Sequence, residues 1–112
     1  MTNYRVVSWT PKGEMPEVIH GYCNHTDGFG FDIHPQDLIR TALYEAGILI
    51  KEQPGAMDWC QWRQGLPIKT SLWNENHLAL TQFAKEQGMN KQQLIQEVVL
   101  DYINANPHST AN

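Results

Sequence analysis

The sequence predicts an α+β chain in two parts. A small N-terminal β-sheet carrying one helix comes first, over residues 1–65. A strand followed by two helices comes next, over residues 66–106, and dimerises through the strand. Three observations predict this. β-Branched and aromatic runs broken by Pro/Gly turns fill the first part. The stretch "LPIKTSLW" (66–73) alternates, with Leu66, Ile68, Thr70 and Leu72 on one side and Pro67, Lys69, Ser71 and Trp73 on the other. Everything after it has helical spacing and helical punctuation.

In order, "YRVVSW" (4–9) reads as a strand, "TPKGEMP" (10–16) as a turn and "EVIHGYC" (17–23) as a second strand. "NHTDG" is a turn and "FGFDI" (29–33) a short third strand. A helix follows. Pro35 suits its first position, Asp37 favours its first turn, and Leu38, Ile39, Ala42, Leu43 and Ala46 form the apolar stripe. Gly47 supplies the stop. "ILIKEQ" (48–53) and "MDWCQW" (57–62) read as two strands around a "PGA" turn. No internal repeat is visible in the residues.

In the second part, Asn74 is the expected cap of a helix over 74–89, with His77, Leu80, Phe83 and Ala84 on one face and Gly88 closing it. Asn90 and Gln93 have capping-box spacing and open a helix over 90–106. Leu94, Ile95, Val98, Val99, Tyr102 and Ile103 give it a wide apolar face. Pro107 ends it, and 107–112 reads as a frayed tail.

The chain has 112 residues, the size of one domain or of two small units sharing a core. No run of about 18 apolar residues exists, so no membrane span is expected. The N-terminus lacks a basic-then-apolar signal pattern, which predicts the cytoplasm. Cys23 and Cys60 cannot build a disulfide framework and are expected reduced. Net charge is −4, which argues against a basic nucleic-acid coat protein but not against a local reading surface. Residues 1–65 hold eight acids against five Lys/Arg, and 66–112 hold four against three.

A strand with no local partner, followed by a helix too apolar for its neighbour to cover, would leave an edge and a face exposed. Two copies solve both problems, so a homodimer is expected. Its core would be Ile68, Leu72, Trp73, Leu80, Phe83, Leu94, Val98 and Tyr102.

"IKTSLWNENHLALTQFAKEQGMNKQQLIQEVVLDYI" resembles a ribbon-helix-helix domain of the Arc/CopG/MetJ type. The strand, the Leu72-to-Gly88 spacing and the capped "GMNKQQLI" passage carry the resemblance. It covers roughly residues 66–106 and leaves the N-terminal part unrecognised. It implies sequence-specific binding of double-stranded DNA by a repressor or a plasmid or phage accessory factor. The paired strands would enter the major groove as a ribbon. Carried over by position, Lys69 and Ser71, with Pro67 at the edge, would touch bases. Asn90, Lys91 and Gln92 would hold a phosphate. Residues 1–65 would modulate binding, either by a second protein contact or by assembly of dimers along DNA. Pro67 brings no donor, Ser71 is short, and Trp73 stands where the family often has proline.

A protein-binding module is the rival. There the strand and helices only clamp two copies, and acidic residues 1–65 meet a protein, as in an antitoxin or a phage-encoded inhibitor of a host protein. Trp59 and Trp62 would offer one outward anchor.

His20, Cys23 and His25, with His34 and Cys60 further off, raise zinc, but their spacing matches no finger pattern, and a buried cysteine with exposed histidines explains them. "TDGFGFD" (26–32) fits a tight turn better than a nucleotide or calcium loop. No nucleophile–base–orienter set stands out, so no enzyme and no cofactor are expected.

Overall fold

The strand that lacked a local partner pairs within its own chain. In the computed structural model, which describes residues 4–23, 34–53 and 65–106, β1 (Tyr4–Trp9) lies antiparallel to β2 (Ile68–Trp73). Tyr4 faces Trp73, Val6 faces Ser71, Val7 faces Thr70, Ser8 faces Lys69 and Trp9 faces Ile68. The fold is α+β: among the described residues it has this two-stranded sheet and four helices, α1 (Met15–Cys23), α2 (Pro35–Glu45), α3 (Asn74–Gln87) and α4 (Lys91–Ala105). Alternation puts Val7, Trp9, Ile68, Thr70 and Leu72 on the buried face of the ribbon.

Several expectations are corrected. Residues 17–23 are helical, not a strand: Met15, Ile19 and Cys23 recur every fourth residue and are all buried. Their spacing outweighs the β-branched Val18 and Ile19. Residues 48–53 form no strand either. After Gly47, Ile48 and Leu49 drop into the core. The backbone of Ile50 and Lys51 is held by one side chain, that of Asn76. Its Oδ1 accepts from the Ile50 and Lys51 N–H groups, both at 3.0 Å, and its Nδ2 donates to the Lys51 carbonyl at 3.0 Å. A fully buried asparagine thus supplies the bonds a neighbouring strand would have made. Asn74 does not cap α3; Trp73 occupies that position, without a side-chain cap bond. The expected strands at 29–33 and 57–62, and with them Trp59, Trp62, His25 and Cys60, lie outside the described residues.

Other elements form as expected. Pro35 opens α2, and Gly47 follows it with φ +79°. Gly88 closes α3 with φ +68°, a conformation costly for other residues. Asn90 caps α4 through its side chain, accepting from the Gln93 N–H at 2.8 Å, while Gln93 Oε1 accepts from the Asn90 N–H at 3.4 Å. Helices α2 and α4 pack against each other, and Leu38, Ile39, Leu43, Leu94, Ile95 and Val99 are buried in the core.

The described chain therefore runs strand–helix–helix, strand–helix–helix. The two halves match closely. Residues 4–23 and 65–84 follow the same sequence of buried, half-buried and exposed positions, one for one. Leu38, Ile39 and Leu43 of α2 correspond likewise to Leu94, Ile95 and Val99 of α4, each helix counted from its cap residue. The extra residues of the first half fall between α1 and α2. Over 4–23 and 65–84 only Glu14 and Glu75 are the same residue, which is why no repeat is visible in the sequence. Superposing the halves sends Ser8 onto Lys69, which face each other, so a local two-fold runs through that pair. Both halves share one sheet and one core among the described residues.

Thr70 sits at the centre of the buried face, 1% exposed, and its hydroxyl has no hydrogen-bond partner. Valine keeps the shape and removes the unsatisfied group, so Thr70→Val should stabilise the fold by about 1 kcal/mol in denaturant unfolding. Asn76→Leu should cost about 1–3 kcal/mol, because it removes three part-buried hydrogen bonds to the backbone of Ile50 and Lys51.

Candidate functional site

The outer face of the ribbon is built by the same alternation that builds the core. Val6, Ser8 and then Thr10 project from the β1 side, and Pro67, Lys69 and Ser71 from the β2 side. These six positions correspond in pairs under the local two-fold: Val6 to Pro67, Ser8 to Lys69, Thr10 to Ser71. The exposures agree too. Val6, Ser8, Pro67 and Lys69 are exposed, and Thr10 and Ser71 are half-buried. Neither strand carries an acid. Tyr4 and Trp73 face each other at one end, 46% and 37% exposed. Trp73, expected in a dimer core, lies on this surface.

Beside the ribbon lies a cleft of about 790 Å³ between β1 and the start of α4. Lys12, Lys91 and Glu97 are its charged lining residues, and Asn90 and Gln92 also line it. The capping box uses the Gln93 N–H, which leaves those of Lys91 and Gln92 as the first-turn donors that no helical carbonyl can reach. Lys91 and Arg5 each act on His77 of α3. Lys12 and Lys91 thus gather on the β1 side of the ribbon.

The related position on the β2 side is closed. The Arg40 guanidinium, 4% exposed, binds Asp37 at 2.7 Å and donates from Nε to the Ser71 carbonyl at 3.0 Å. Gln53 donates to the same carbonyl at 2.8 Å and accepts from the Trp73 N–H at 2.9 Å. These bonds seal the outer edge of β2. On the β1 side, the corresponding Lys12 N–H donates to Gln96 Oε1 at 3.2 Å.

The residues expected to contact DNA come together in part. Lys69, Ser71 and Pro67 share the outer face, and Asn90, Lys91 and Gln92 line the cleft beside it. The expected dimer core is used within the chain. Ile68, Leu72, Leu80 and Leu94 are buried, and Phe83, Val98 and Tyr102 pack half-buried against them. Sequence reasoning missed Val6, Ser8, Thr10 and Lys12. "YRVVSW" has the alternation that places Val6 and Ser8, but nothing local says which strand it meets.

Among the described residues no cluster of His, Cys, Asp and Glu can hold a metal ion. Cys23 is free and buried in α1. Burial first, then the Asp37 charge, pushes its thiol up to about 12. Among the described residues no helix is long and apolar enough to cross a membrane. Compared with known proteins, the chain matches no family model, no curated protein and no solved structure.

Burial holds His77 below its ordinary value of 6.5, and Lys91 and Arg5 add to this. The unfolded chain then binds that proton more readily than the fold does. Stability from this group is fully present above pH about 6.5 and declines as pH falls through that region. Thermal unfolding across pH about 7 to 5 should show the decline, and His77→Gln should reduce it.

Proposed function

We propose that this chain is a sequence-specific DNA-binding protein of ribbon-helix-helix design in which one polypeptide supplies both halves. The observation that carries this reading is the repeated strand–helix–helix unit whose two strands form an antiparallel ribbon with an acid-free outer face. An exposed two-stranded ribbon is a known reader of the major groove. Lys69 can donate to guanine O6 or N7, Ser8, Thr10 and Ser71 can donate or accept, and the Val6 methyls suit the thymine methyl. Asn90, Lys91 and Gln92, with Lys12 across the cleft, suit a backbone phosphate and fix register without reading sequence. The regulatory role that follows is that of a repressor or a plasmid or phage accessory factor.

A net charge of −4 does not oppose this reading, because binding depends on the local cations and not on the sum. The homodimer inferred from an unpaired strand loses that ground, since β1 covers the strand.

A second reading is favoured by one observation. Tyr4, Val6 and Trp73 make part of the outer face apolar, as a protein-docking surface would be. A partner that co-purifies through nuclease treatment and high salt would favour it.

Selection from random duplex DNA at fixed, near-physiological salt tests the first reading. An enriched motif is the expected result; none, with the protein folded, would refute it. On the preferred duplex, Lys69→Ala should cost about 1–3 kcal/mol and relax one base preference. Lys91→Ala should weaken binding to all sequences alike and lower the salt slope by about 1. Fluorescence anisotropy titrations at several salt concentrations separate the two effects.

A further inference from the structure

We infer that one copy of this chain binds a non-palindromic duplex site in a single orientation, with the β1–α4 side on the phosphate backbone. The inference rests on the DNA reading above and adds the symmetry and polarity of the site.

Three differences between the matched halves carry it. The first is on the local two-fold itself, where Lys69 faces Ser8. Two copies of the second half, paired in this register, would set lysine against lysine on adjacent strands, which is unfavourable. The chain instead presents one long cation and one short hydroxyl. Lysine spans to guanine O6 or N7, and serine reaches less far and distinguishes bases less. The central base step is therefore read from one side.

The second difference is the flank. Beside β1 the cleft is open and lined by Lys12 and Lys91. Beside β2 the matching region holds the Arg40–Asp37 pair and Gln53, and their bonds to Ser71 and Trp73 occupy it. Arg40 is a cation, but its charge is already paired and nearly buried.

The third difference is in the helix starts. In α4, Lys91 is half-buried and Gln92 exposed, and both keep an N–H. In α2 the matching residues are Pro35 and Gln36, both buried, and proline has no N–H to offer. The other cation of the cleft follows the same rule: Lys12 corresponds to Trp73. Glu97, in the open cleft, is the one acid among its lining residues. It stands one turn beyond the donors of Lys91 and Gln92, so it narrows the phosphate position to the helix start.

A palindromic duplex offers equal groups to both halves, and this chain cannot use them equally. A site with a guanine on the Lys69 side of its centre, and a backbone contact on the β1 flank alone, matches what the chain presents.

The test is the symmetry of the selected duplex, its stoichiometry and its backbone contacts. Full-length protein is used in selection from random duplexes, followed by native mass spectrometry and phosphate-ethylation interference on the winning sequence. The expected result is a non-palindromic motif, one chain per duplex, and interference concentrated on one flank. Lys69→Ser, which makes the central pair alike, should lower affinity about tenfold and lose preference at the central step only. Lys91→Ala should weaken the one-sided interference, with Lys12 and the N–H groups of the helix start still in place, while leaving the motif unchanged. A palindromic motif bound by two chains, or equal interference on both flanks, would overturn the inference and leave the DNA reading standing. No enriched motif at all would overturn both.

Discussion

The antiparallel pairing of β1 with β2 is the constraint on which the rest depends. It joins residues from the first ten of the chain to residues near position 70, and its register assigns every strand side chain to one of two faces. A slip by one residue would turn Trp9 and Leu72, now 1% and 0% exposed, into water and draw Lys69 toward the core. The buried face leaves no such freedom, so the outer face is equally fixed. Lys69 and Ser8 meet because Trp9 and Ile68 must be buried beside them.

The helices complete this arrangement and also break its symmetry. α2 and α4 close the core as near-equivalents. Their surroundings differ because the first half continues past Gly47 into a segment that returns to the sheet. Asn76 fixes that segment, and Gln53 and Arg40 then satisfy the edge of β2. Backbone groups at a sheet edge invite a further strand unless something covers them. Here side chains do so, in bonds of 2.8–3.0 Å, two of them to one carbonyl. The same bonds make the β2 flank a sealed wall, while the β1 flank remains a cleft with cations on it.

An acidic chain with a cationic flank is consistent physically, since fields between exposed charges fade within about 8 Å at physiological salt. Acids near the β2 side are already engaged: Asp37 with Arg40, and Glu75 with Lys51 at 2.9 Å. The Glu75–Lys51 pair is exposed and adds little stability, but it lowers the Glu75 carboxyl and helps hold the 48–53 segment against α3. What a partner meets is then set by place and not by the total of −4.

Taken alone, the sequence determined the elements that signal locally. The alternation of 68–73, the helices α2, α3 and α4, the Asn90–Gln93 box and the stops at Gly47 and Gly88 depend on neighbours within a few residues, so local chemistry sets them. It also identified Lys69, Pro67 and Ser71 as one row, because alternation needs no partner to be read. Tertiary structure decided the rest. Whether 17–23 was strand or helix turned on which residues would be buried, and Met15, Ile19 and Cys23 became so only against a core built by distant segments. The repeat was invisible because burial is conserved between the halves and residue identity is not. The partner of β2 was out of reach for the same reason: pairing across some sixty residues leaves no trace in local periodicity, and only the shared need to bury Val7, Trp9, Ile68, Thr70 and Leu72 selects it.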